Sequence, residues 1–308
     1  MTTNISAAMV KELRDKTGAG MMDCKAALAE TNGDVEAAVD WLRKKGLAKA
    51  AKKAGRIAAD GLIGVAIQAG QGAIVEVNSE TDFVARGAAF QNLVRQAAQQ
   101  ALKAEGDLQR LLVSPVEGGA SMADVLSALV GQVGEHMSVR RASALAVAPG
   151  VVASYVHNAA APDLGKIGVL VAVESSGDAG KLMALGKQIA MHVAAANPLA
   201  LSVDALAPDV VQRERAIYAD QARQSGKAEN VIEKMIEGRL RKFYEESVLL
   251  SQVFVIDGET PVAKVVENVA KDLGAPVKIA GFLRFAVGEG IEKPTTDFAA
   301  EVKATAGL

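Results

Sequence analysis

One arrangement occurs twice in this chain, and it restricts the fold more than any other feature. Residues 61–78, GLIGVAIQAGQGAIVEVN, are apolar with a glycine-containing break in the middle, the pattern of two strands joined by a turn. A polar stretch follows, then the helical period of FQNLVRQAAQQALKA at 90–104. About 95 residues later the same order returns. GVVASYVHNAAAPDLGKIGVLVAVES at 150–175 reads as a second pair of strands, followed by a loop and the helix KLMALGKQIAMHVAAANP at 181–198. GAIVEVN (72–78) and GVLVAVE (168–174) hold equivalent places. A duplicated hairpin–loop–helix unit predicts an α+β fold with two related core subdomains. The copies differ in the loop, where the first carries SETDFVAR (79–86) and the second only SSGDAG (175–180).

The flanks of the duplicated region are helical. Ser6 is placed to cap a helix bearing Met9, Val10 and Leu13, and TGAG at 17–20 ends it. A second helix runs from Met22 to about Thr31, and a third begins near Asp34 and buries Val35, Val39, Trp41 and Leu42. Between Arg43 and Arg56 stand seven basic residues and no acid, which reads as an exposed helical linker. From Asp209 to Ser247 the period is helical again, broken by QSGKAEN. This predicts a projecting antiparallel hairpin with Ile217, Tyr218, Val231, Ile232, Met235 and Ile236 buried. A strand, a helix and a further strand follow, and TDFAAEVKATAG at the end predicts a short helix capped by Thr296 or Asp297. The expected divisions are residues 1–55 (three helices and basic linker), 56–147 (first core subdomain), 148–280 (second core subdomain, with the hairpin at about 209–247 inserted) and 281–308 (C-terminal module).

Composition and motifs exclude several kinds of chemistry. The net charge of −2 argues against a general nucleic-acid or membrane-surface protein, and no direct nucleic-acid contact is expected. The single cysteine, Cys24, can form neither an internal disulfide nor a thiolate metal site, and no secretory leader or membrane span is evident, so a cytoplasmic protein is expected. SGDAGKL lacks the phosphate-loop spacing, His136, His157 and His192 lie far apart without metal-type partners, and HExxH, CxxC and GxSxG motifs are missing. No enzyme activity and no cofactor is expected.

What remains is a set of residues suited to contact. Met21 and Met22 are adjacent on a helix and point about 100° apart, so at least one should be free for a partner. His157 lies in a predicted strand and is expected to be partly buried. Phe83 either tucks under its own loop or stands out as a binding anchor, with Asp82 a cap or a presented charge. On pattern alone, a plain adaptor using the three-helix bundle or an RNA-binding factor using the basic run fits these residues.

KELRDKTGAGMMDCKAALAETNGDVEAAVDWLR, KKAGRIAADG, VNSETDFVAR and GFLRFAVGEGIEK...TDFAAEV, in this order, resemble the bacterial translation elongation factor Ts family, the guanine-nucleotide exchange factors of elongation factor Tu. The resemblance implies a ubiquitin-associated-like three-helix domain, two related core subdomains, an inserted coiled-coil hairpin used in dimerisation and a C-terminal helical module. It implies that Thr81, Asp82, Phe83 and Val84 approach the partner's nucleotide site and dislodge its magnesium ion. It also implies that Arg14, Met21, Met22 and His157 contact the GTPase. A dimer of complexes through the helical hairpin is possible on the same grounds.

Overall fold

A computed structural model describes residues 5–17, 19–224 and 228–292, apart from the side chains of residues 47 and 49. The helix expected from Thr296 or Asp297 lies outside the described residues.

Three helices open the chain. Ser6 Oγ accepts the Met9 N–H at 3.2 Å and starts α1, Ala7–Thr17. α2 is Met21–Glu30, and α3, Val35–Lys53, is capped by Asp34, whose Oδ1 accepts the Ala37 N–H at 3.0 Å. Leu13, Cys24, Ala27, Leu28 and Ala38 form the small core, with Val35, Val39, Trp41 and Leu42 partly buried around it.

The first core unit follows. β1 (Asp60–Gln68) and β2 (Gln71–Ser79) pair antiparallel from Asp60↔Ser79 to Gln68↔Gln71. Then come α4 (Asp82–Arg86), α5 (Ala88–Lys103), α6 (Leu108–Val113) and α7 (Met122–Val133), before β3 (Met137–Ala146) returns to pair with β2. The second unit repeats the plan. β4 (Gly150–Ala161) pairs with β5 (Leu164–Glu174), then α8 (Ala179–Ala196), α9 (Pro208–Arg223), α10 (Glu229–Ser247) and α11 (Val262–Leu273) intervene, and β6 (Lys278–Ala286) returns to β5. β1 meets β5 through Ile63↔Gly165 and Gly64↔Leu164, which joins the six strands in the order β3-β2-β1-β5-β4 with β6 also on β5.

Strand alternation explains the layering, because successive side chains point to opposite faces. Leu62, Ala66, Ala73, Val75 and Val77 pack with Phe90, Leu93, Val94 and Ala97 of α5. On the other face, Ile63, Val65 and Ile74 meet Val152, Leu170 and Ala172 of the second unit. Val169, Val171 and Val173 point away from that seam, toward Leu182, Leu185 and Ile189 of α8. Both faces of each hairpin are therefore apolar, as the near-continuous Val/Ile runs require. The leading glycine of each repeated heptapeptide lies at the seam. A Cβ on Gly72 would stand 2.7 Å from Val152 Cγ1, and one on Gly168 would stand 2.5 Å from Ile63 Cγ2.

Four expectations are corrected. The strand expected to follow the helical hairpin, at the start of SQVFVIDGETP, is a short 3₁₀ turn, Leu249–Ser251, and an isolated bridge between Val253 and Pro261, with Val253, Val255 and Ile256 about half exposed. Ile217 and Val231 are exposed on the outside of the α9–α10 hairpin, which is closed by the expected Ile232 and Ile236 together with Ala222 and Leu240, with Tyr218 and Met235 partly buried. The division placed at 280/281 falls inside β6, so 281–286 belong to the second unit's sheet. The basic run is helical to Lys53 and most of its described basic side chains are exposed, as expected, but it also packs, because α3 crosses α7 where a Cβ on Gly131 would lie 2.9 Å from Gly46 Cα. Arg43 bonds Asp124 at 2.8 Å, Lys45 bonds Asp23 at 3.1 Å and Arg56 bonds Glu80 at 3.2 Å. Among the described residues, no helix is long and apolar enough to cross a membrane.

Candidate partner-binding site

The extra loop of the first unit folds into a single helical turn. Thr81 caps it, its Oγ1 accepting the Val84 N–H at 3.4 Å, and Gly87 ends it with an N–H bond to Val84 O at 2.9 Å. Residues two apart on a helix point about 200° from each other. Ala85 is buried and Val84 packs partly against the first core, so Phe83 must face outward. Its side chain is 81% exposed, an unusual position for a large aromatic group in a chain of which only 4% is aromatic. Asp82 lies beside it and accepts from Arg86 Nη2 at 2.7 Å, an exposed i,i+4 pair that contributes little to stability.

The base of the turn is held from the far side of the first unit. The Thr81 N–H donates to Glu135 Oε2 at 3.1 Å, and the Thr81 hydroxyl donates to Glu135 Oε1 at 2.9 Å. Ser79 Oγ donates to Thr81 O at 2.9 Å. Glu80 accepts the His136 N–H at 2.5 Å and the Arg56 guanidinium at 3.2 Å. Burial pushes the Glu80 carboxyl up, but the His136 N–H and Arg56 outweigh it and hold the group below the ordinary carboxylate range. The aromatic tip is thus free while its mounting is fixed.

The other residues singled out in the sequence stand elsewhere. Met21 and Met22, at the start of α2, are 61% and 76% exposed, so both are available rather than one. Arg14 is exposed on α1. His157 is exposed on β4, not partly buried, on the strand face of Val151 and Tyr155 and not on the seam face of Val152 and Val156. Its Nδ1 lies 3.2 Å from the Tyr155 hydroxyl. The structure therefore groups Thr81–Val84 on one turn and Met21 with Met22 on another, and leaves Arg14 and His157 on separate elements. Among the described residues, no group of three or more His, Cys, Asp or Glu could hold a metal ion.

Sequence reading missed the clamp of Glu135, Glu80 and the His136 backbone. The one local sign is Gly134, which ends α7 in the left-handed region at φ 81° and throws the next two residues toward the loop.

Residues 80–289 match the family model described as Elongation factor TS. The chain is 61% identical over 304 residues to a protein from Rhodospirillum centenum named Elongation factor Ts, covering 98% of this chain and 99% of that one. It is 59% identical over 307 residues to the Elongation factor Ts of Maricaulis maris, covering 98% of each. It is also 59% identical over 303 residues to that of Parvibaculum lavamentivorans, again covering 98% of each.

Proposed function

The chain belongs to the elongation factor Ts family, and on that premise we propose that this translation elongation factor accelerates GDP release from elongation factor Tu. The observation that carries the reading is Phe83, an exposed aromatic side chain on a turn whose base is clamped. Burying such a side chain in a partner contributes about 2–3 kcal/mol, enough to displace side chains from their resting packing. Asp82 brings negative charge to the same spot. Near a bound magnesium ion, both groups disturb the residues that orient the metal. Loss of the metal removes the charge that neutralises the diphosphate, and GDP leaves faster.

No bond is made or broken in this scheme, so no covalent chemistry is assigned to the chain. Linkage fixes the energetics. Whatever factor the protein takes from GDP affinity, GDP takes from the protein's affinity. The grip on the nucleotide-free GTPase must therefore be spread over several contacts. Arg14, Met21 and Met22 supply one, the 81–84 turn a second and His157 a third, with Met side chains suited to an adaptable surface.

Stopped-flow release of a fluorescent GDP from elongation factor Tu tests this. Release should rise with added protein to a plateau, and excess GDP should dissociate the complex in gel filtration. A protein that binds the GTPase without altering release would overturn the proposal.

A further inference from the structure

We propose that α7 is a spacer that registers the N-terminal bundle against the Phe83 turn, and that Glu135 at its end is a positioning residue for that turn. This rests on the exchange reading above. Three contacts placed along one helix carry it. At the N-terminal end, Asp124 closes the capping box with Ser121, and the same Oδ2 accepts Arg43 of α3 at 2.8 Å. Arg43 and Ser121 hold the Asp124 carboxyl below its ordinary range against a smaller opposing effect of burial. In the body of the helix, Gly131 lets α3 approach at Gly46, where any side chain would collide with backbone. Just past the C-terminal end, Glu135 accepts both donors of Thr81, and the His136 N–H donates to Glu80.

α7 has 12 residues and so is about 18 Å long. α3, which carries the bundle with Met21 and Met22, packs along this rod from Asp124 to Gly131. Glu135, just past its C-terminal end, holds the turn with Phe83. Two contact points joined this way reach a partner with their separation already set, which reduces the ordering cost of binding. A free linker at 43–56 would not do this.

The α3 contact and the Glu135 contact make separable predictions in the nucleotide-release assay with the full-length protein. Glu135→Ala frees the turn and leaves the bundle docked. The plateau rate should fall about three- to tenfold with little change in half-saturating concentration. Glu135→Gln keeps an acceptor for the Thr81 N–H and should restore most of the rate. Gly131→Leu introduces a better helix former but undocks α3. It should raise the half-saturating concentration about tenfold and leave the plateau within about twofold.

A double-mutant test separates positioning from a general structural effect. If Glu135 acts through Phe83, adding Glu135→Ala to Phe83→Ala should change the plateau by less than about twofold. A plateau unchanged in Glu135→Ala while Phe83→Ala slows release would overturn the inference and leave the exchange reading standing. An equal further loss in the double variant would also overturn it. A plateau unchanged in Phe83→Ala itself would instead remove the reading on which the inference rests.

Discussion

Glu76 of β2 and Arg141 of β3 form an ion pair at 2.5 Å in which the carboxylate is fully removed from solvent and the guanidinium is partly exposed. Arg140 Nη1 reaches the same carboxylate at 3.1 Å, Asn78 Nδ2 at 3.0 Å and the Gly288 N–H at 2.8 Å. One side chain thereby ties two strands of the first unit to the turn that follows β6 of the second. Glu76→Ala removes the shared partner of two guanidinium groups that are each partly exposed, and Arg141 keeps Glu289 and Ala286 O, so the loss should be about 1.5–3 kcal/mol. Urea unfolding should show that loss as a lower midpoint with little change in slope. Burial pushes the Glu76 carboxyl up, but the Gly288 N–H, Asn78 and Arg141 together hold it below its ordinary 4.5. A depressed folded value means its contribution is complete above pH 4.5 and is lost as pH falls through the folded value.

His192 should make stability fall on mild acidification. It is fully buried on α8, where Nδ1 accepts the Val255 N–H at 3.2 Å, so the ring proton lies on Nε2 and is donated to Gln252 Oε1 at 2.9 Å. Burial pushes the ring below its ordinary 6.5, only partly offset by Gln252. The unfolded chain therefore takes up the proton first. Stability is complete above pH 6.5 and declines below it, by at most about 1.4 kcal/mol per pH unit. Urea midpoints at pH 7.5, 6.5 and 5.5 check this. His192→Leu should cost about 1–3 kcal/mol at pH 7.5 through the orphaned Val255 N–H and should flatten the decline.

The paired glycines of the seam make a symmetrical prediction. Gly72→Ala and Gly168→Ala each place a methyl group inside contact distance of a buried branched side chain from the other unit. Each should lower stability by about 1–3 kcal/mol, and thermal melts of the two variants should agree more closely with each other than with the wild type.

Much of this was legible in the sequence because period and burial coincide. The two hairpins are buried on both faces, so their Val/Ile runs announce them, and the matched glycines mark equivalent places at the seam. β3 was not legible. Its sequence MSVRRASALA carries two adjacent arginines that suggest solvent, yet they neutralise a glutamate more than 60 residues away. The stretch VFVI at 253–256 misled in the opposite direction, because its backbone is claimed by His192 and by the bridge to Pro261 instead of a ladder. Phe83 and its Thr81 cap could be found locally. The clamp on them could not, since Glu135 lies 54 residues from Thr81 and nothing in either segment names the other.

The most direct measurement of the central claim compares Phe83→Ala with the wild type for GDP release from elongation factor Tu at saturating protein, alongside the melting temperature of each. An exposed side chain that acts on a partner should leave the melting temperature unchanged and the GTPase complex intact, while the plateau rate falls about tenfold or more. A variant that releases GDP as fast as the wild type from an intact complex would contradict the account.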